Sequence, residues 1–182
     1  MSHFPHTLSQ IMASTGRARA RDTIVFGGLT AGVLDLADAF VVTALNGGTP
    51  MRVLHAIASG LLGRAAYDGG VATAALGLCL HFFIATSAAT VFYLASLRLP
   101  FLLRRPLVWG PIFGLGVWAV MYLIVLPVTF GRPFTMPPLT NLLNQLGIHA
   151  LGVGLPIALF AARSARPRAA SRSSEVPEFL SS

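Results

Sequence analysis

Four ionisable side chains interrupt the apolar stretches of this 182-residue chain: Asp35, Asp38, His81 and His149. A carboxylate near the centre of a bilayer costs about 2.5 to 3.5 kcal/mol on insertion scales, so such groups face protein or water rather than lipid. These residue types support three chemistries. An aspartate beside a histidine can pass a proton or hold a cation, the default functional reading of an intramembrane acid. Two histidines on different helices, His81 and His149, can ligate a metal ion or a haem iron, although no recognised ligand spacing surrounds them. The same groups can also pair across helices and do no more than fix the packing. No glycine-rich phosphate loop, nucleophile elbow or HExxH zinc motif occurs, so the expectation is non-enzymatic. What the residues lead one to expect is a protein that handles protons or a cation through the Asp/His cluster. The alternatives are a metal- or haem-binding subunit of a membrane redox system and a purely structural membrane partner.

The stretches that must position these groups are defined by where charge is missing. The composition is 54% hydrophobic and 10% charged, against about 25% charged in an ordinary soluble domain. Asp68 and Arg98 are separated by 29 uncharged residues, Arg105 and Arg132 by 26, and Arg132 and Arg163 by 30. Each exceeds the ~20 apolar residues that cross a hydrocarbon core. Spans are expected at about 23–45, 71–97, 107–130 and 141–162, the first only if Asp35 and Asp38 are accepted inside it. Between spans 1 and 2, Thr49 and Pro50 read as N-cap and N1, and Val53, Leu54, Ile57, Leu61 and Leu62 recur at helical spacing up to Gly63. That helix, about 50–62, is too short to cross and is expected at the interface. The fold class is all-α: a polytopic membrane protein with a four-transmembrane-helix bundle over 23–162, flanked by basic tails at 1–22 and 163–182. The short link between spans 2 and 3 predicts antiparallel neighbours.

A helical wheel puts Gly28, Ala31, Gly32, Asp35, Asp38 and Ala39 on one side of span 1, with Phe26, Val33, Ala37, Phe40 and Val41 opposite. His81 shares a face with Ala74, Gly77, Ala85, Ala88 and Ala95, and His149 with Gln145, Gly152 and Pro156, where the proline frees a carbonyl. At 1.5 Å per residue, Asp38 and His149 lie roughly 10 to 12 Å deep and Asp35 and His81 roughly 15 Å deep. One polar layer is therefore expected, with His55 placed to cap it. Gly28-x-x-x-Gly32, Gly77 and Gly110-x-x-x-Gly114 mark close helix packing, within the chain or in a homo-oligomer. Tyr93 and Tyr122 can donate hydrogen bonds into the bundle, and read more simply as packed aromatics.

All 13 basic residues are arginine. They flank the spans rather than forming a stripe interleaved with aromatics, which argues against nucleic acid and for a role in topology. The two tails and the 98–106 link carry ten of them, and Arg52, Arg64 and Arg132 fall on the other side. That asymmetry predicts cytoplasmic termini. The single cysteine, Cys79, excludes an intramolecular disulfide and a Cys-based metal motif. One competing reading of span 1 is a secretory signal cleaved after Ala37-Asp38-Ala39, against which Asp35 is an awkward end to the apolar region.

In organisation the chain resembles the small four-helix inner-membrane proteins of bacteria known as the YagU-like group. The likeness rests on Gly27-Gly28-x-x-x-Gly32 in a first span with ionisable residues, His81 to Tyr93 in the second, and Gly147-Ile148-His149 in the last. Span 1 departs from the group's mixed-sign charges by carrying two aspartates. The resemblance implies a multi-pass protein of the bacterial inner membrane and no particular activity.

Overall fold

The computed structural model describes residues 20–131, 133 and 135–165. The two basic tails lie outside the described residues except at 20–22 and 163–165, and so does Arg132. Every element among the described residues is helical. Four helices are long and apolar enough to cross a membrane: α1 (Asp22–Leu45), α3 (Gly70–Arg98), α5 (Pro106–Phe130) and α6 (Leu139–Ala165). The shorter ones are α2 (Pro50–Leu62), a 3-10 turn that follows it (Gly63–Tyr67), and α4 (Phe101–Arg104), the last inside the link between α3 and α5.

Local chemistry explains the boundaries. Thr49 accepts the Arg52 backbone N–H through its hydroxyl at 3.3 Å, Pro50 occupies the first helical position, and Gly63 ends α2 with a φ of 58°. These are the expected limits of the 50–62 helix. α6 starts at Leu139, two residues before the expected 141, because Pro138 is extended and the helix begins immediately after it.

The packing order is α3, α1, α6, α5, an arc in which glycines bring the backbones together. A Cβ on Gly28 would lie 2.9 Å from Thr86 Cα, and one on Gly110 would lie 2.9 Å from Leu155 Cα. A methyl on Gly77 would overlap the Leu54 carbonyl of α2, and one on Gly114 would overlap the His149 carbonyl. The glycine faces are thus occupied inside the chain. α6 is the central helix and α5 the peripheral one: 44% of the most apolar window of α6 is buried, against 6% of that of α5. Of the side chains the wheel places outward, Phe26, Val33, Ala37 and Val41 are exposed and Phe40 is half-buried, while Leu29 and Leu34 also face out.

α3 and α5, expected as antiparallel neighbours, are not packed backbone to backbone. They meet through the Phe92 and Phe113 rings, 5.0 Å apart, beside a buried core of Ala31, Ala89, Ile157, Ala158 and Ala161. The physical reason is the small-residue pattern: backbones approach where glycine allows it. That happens along α1 with α3 and along α6 with α5, while two phenylalanines hold α3 and α5 apart. Beyond those rings, toward α2, the helices line a half-open cavity of about 620 Å³.

Two of the long helices, α5 and α6, contain wide turns beside a proline. Over Met121–Val125 and Ile148–Gly154 the bonding is π-helical, with Leu126 N–H reaching the Met121 carbonyl and Leu155 N–H the Ala150 carbonyl. Each turn ends just before a proline, Pro127 or Pro156. Proline donates no N–H, and its ring crowds the carbonyl four residues back, so the helix relieves the clash by widening. A third wide turn, Asp22–Gly27, precedes no proline, and nothing in the structure explains it.

Candidate functional site

The cavity is where the chemistry-bearing residues collect. Asp35, Asp38, His81 and His149 all line it, and α2 roofs it through Val53, Ala56 and Ile57. α1 aims the two aspartates inward because Gly28 and Gly32 turn that face toward α3. The wide turn of α6 carries His149, and the wide turn of α5 carries Tyr122. Both irregular turns therefore sit at the polar layer, where the helix geometry sets the direction of the side chains.

His149 is buried, and its Nδ1 lies 2.9 Å from the Gln145 carbonyl. A carbonyl can only accept, so Nδ1 carries the hydrogen and Nε2 of the neutral ring is left with its lone pair. The same Nδ1 stands 4.0 Å from Asp35 Oδ1, beyond hydrogen-bond length and close enough for charge to be felt. Asp35 accepts no hydrogen bond among the described residues, and its side chain is 28% exposed, facing the cavity. A carboxylate so placed is left with His149 and the half-open cavity as its sources of compensating charge.

Asp38 is held differently. Its Oδ2 accepts a 2.8 Å hydrogen bond from the Asn144 side-chain amide of α6. One residue on, the Gln145 side-chain carbonyl accepts from the Trp118 indole at 3.3 Å. Trp118 stacks on Tyr122 at 5.5 Å, and the Tyr122 ring meets His149 edge to face at 6.0 Å. Asn144 and Trp118 escape a reading of the sequence, because an amide near a helix start passes for a capping residue and an indole in a span for a packed aromatic. The i, i+1 placement of Asn144 and Gln145 before His149 is the signal that could have found Asn144, and no local pattern marks Trp118.

His81 lines the same cavity without joining the pair. Its Nε2 donates to the Gly32 backbone carbonyl at 2.8 Å, which ties α3 to α1. His55, expected to cap the layer, instead donates to the Gly70 carbonyl at 2.8 Å and packs its ring against Tyr67. It holds α2 to the start of α3. As for metal ligation, His81 and His149 each use one ring nitrogen on a carbonyl, and among the described residues no three His, Cys, Asp or Glu side chains converge as metal ligands would. Cys79 is exposed on the outer face of α3.

A second cavity, of about 810 Å³, lies on the α2 side of the first, and Tyr122 and Gln145 line both. Arg52, Arg64 and Asp68 line it. Among the described residues, the inner space is lined by carboxylates without an arginine, and the outer one by Arg52 and Arg64 together with Asp68.

No family model, no curated protein and no solved structure matches this chain. The resemblance to the YagU-like group accordingly rests on the motifs alone.

Proposed function

We propose that this chain is an integral protein of the bacterial inner membrane that handles protons or a cation through Asp35, Asp38 and His149. The observation that carries the reading is Asp35: a carboxylate in a helix long and apolar enough to cross a membrane, lining a cavity and receiving no hydrogen bond among the described residues. When His149 is neutral, Asp35 is an uncompensated negative charge that attracts a cation. When His149 takes a proton at Nε2, the imidazolium balances the Asp35 carboxylate 4.0 Å away, and the cation loses its counter-charge. Proton and cation therefore compete for one carboxylate. Asp38, tied to Asn144, adds negative potential, and His81 is a positioning residue that holds α3 on α1. The arginine distribution supports cytoplasmic termini and an α2 side that faces outward.

The test is flux in proteoliposomes that enclose a pH-sensitive dye, driven by an imposed membrane potential or cation gradient. Wild-type protein should move protons or the cation, and Asp35→Asn should abolish that movement. A wild type without flux, or an Asp35→Asn variant with undiminished flux, overturns the reading.

A further inference from the structure

The walls of the cavity narrow the kind of cation. A bare inorganic ion such as magnesium or calcium is bound through about six to eight oxygen ligands in total, several of them protein carboxylates in a dedicated calcium site. Here two aspartates have separate surroundings, and no third acidic, histidine or cysteine side chain closes a ligand shell among the described residues. The volume, about 620 Å³, falls in the roughly 300 to 1,000 Å³ range of small-molecule sites. The lining away from the carboxylates is aliphatic, with Leu80, Ile84, Val117 and Val125 facing the space. Tyr122, stacked on Trp118, adds an aromatic wall.

We propose that this cavity binds an organic ammonium ion, a cation with an apolar body, with Asp35 as its principal counter-charge and Asp38 as the second. The proposal rests on the cation reading above and names its ligand class. An ammonium centre near Asp35 compensates the carboxylate, while the organic body covers the aliphatic walls, and each part answers one half of the lining. A neutral apolar molecule would leave Asp35 desolvated and uncompensated. An anion of the same size would meet two carboxylates. The Tyr122 ring contributes attraction of the cation–π kind, which suits quaternary and aromatic amines.

Equilibrium dialysis of the full-length protein in detergent micelles against tetraphenylphosphonium and tetraphenylborate, ions of matched shape and opposite charge, tests this directly. Saturable binding of the phosphonium above protein-free micelles, with none of the borate, is expected. Asp35→Asn should weaken phosphonium binding about tenfold or more. Ala56→Trp, which fills the cavity from α2 and keeps both carboxylates, should weaken it too. Excess sodium or magnesium should not displace the phosphonium. Equal binding of the two organic ions overturns the proposal, and that comparison needs no variant to fold. Unchanged binding by Asp35→Asn, or displacement by stoichiometric sodium or magnesium, also overturns it. Absent phosphonium binding with flux intact removes the organic ligand and leaves the cation reading standing. Asp35-dependent phosphonium binding without flux supports the ligand class and removes transport.

Discussion

Asn144 donates a 2.8 Å hydrogen bond to Asp38, joining the first residues of α6 to the last turns of α1 across 106 positions of sequence. Intramembrane hydrogen bonds between helices average about 0.6 kcal/mol in double-mutant cycles and reach about 1.7. Asn144→Ala and Asp38→Ala should each destabilise the protein by about that range, and the double variant should recover a coupling of about 0.6 kcal/mol or more. Unfolding in mixed micelles read by tryptophan fluorescence gives the cycle. Additive single effects would show that the bond does not hold α6 on α1.

Much of the scaffold was legible because it depends on local chemistry. The Thr49-Pro50 start and Gly63 stop of α2 are cap and breaker residues, and the long apolar helices α3, α5 and α6 follow the charge-free stretches to within a few residues. The inward face of α1 follows from helical periodicity. What stayed hidden was set by tertiary competition. His81 is on the expected face, yet the Gly32 backbone carbonyl accepts its N–H, and no side-chain pattern encodes which helical carbonyl will take a second hydrogen bond. The separation of α3 from α5 arises from which pairs of helices win the glycine contacts, a choice the short link between them does not reveal. The wide turns before Pro127 and Pro156 follow from proline chemistry, but a straight helical wheel ignores them, and they alter the direction of Tyr122 and His149.

Gly114 and Gly116 make a matched pair for testing the packing. A Cβ at Gly114 would run into the His149 backbone carbonyl, whereas one at Gly116 meets nothing within 4 Å. Gly114→Ala should destabilise by about 1 to 3 kcal/mol through overpacking. Gly116→Ala should be neutral or stabilising by up to about 1 kcal/mol, from helix propensity. Thermal melts in one detergent compare them, and equal effects would contradict the close contact of α5 with α6. Because the obstructing carbonyl belongs to His149, Gly114→Ala should also reduce flux.

Cys79 reports on the surroundings of α3. It is exposed on a helix long and apolar enough to cross a membrane, so in native membranes its surroundings should be lipid. A thiolate is the reactive form, and hydrocarbon suppresses it. In intact membranes Cys79 should resist a charged, membrane-impermeant maleimide and react with it fully once the protein is unfolded in sodium dodecyl sulfate. Rapid labelling before unfolding would place that face of α3 in water and overturn its assignment as a lipid-facing surface.

Pro156 offers a test of whether the wide turn of α6 matters for the site. The Ile148–Gly154 segment widens because Pro156 cannot accept the regular pattern, and His149 lies inside it. Gly154, on the far side of the turn, is fixed by close backbone contact with Gly110 and Gly114. If Pro156→Ala lets the turn close to a regular helix, the part that moves is the part before it. Dropping one residue from the turn rotates that part by about 100°, which carries His149, Gln145 and Asn144 away from Asp35 and Asp38. Removing a helix-interior proline should leave stability unchanged or raise it, by up to about 3 kcal/mol. The expected result is a variant that still folds, because removing the proline offsets the lost Asn144–Asp38 bond of about 0.6 to 1.7 kcal/mol, and yet shows flux reduced to the level of Asp35→Asn. Stability gained with flux retained would mean that the histidine finds Asp35 from either turn geometry, and that the proline serves packing alone.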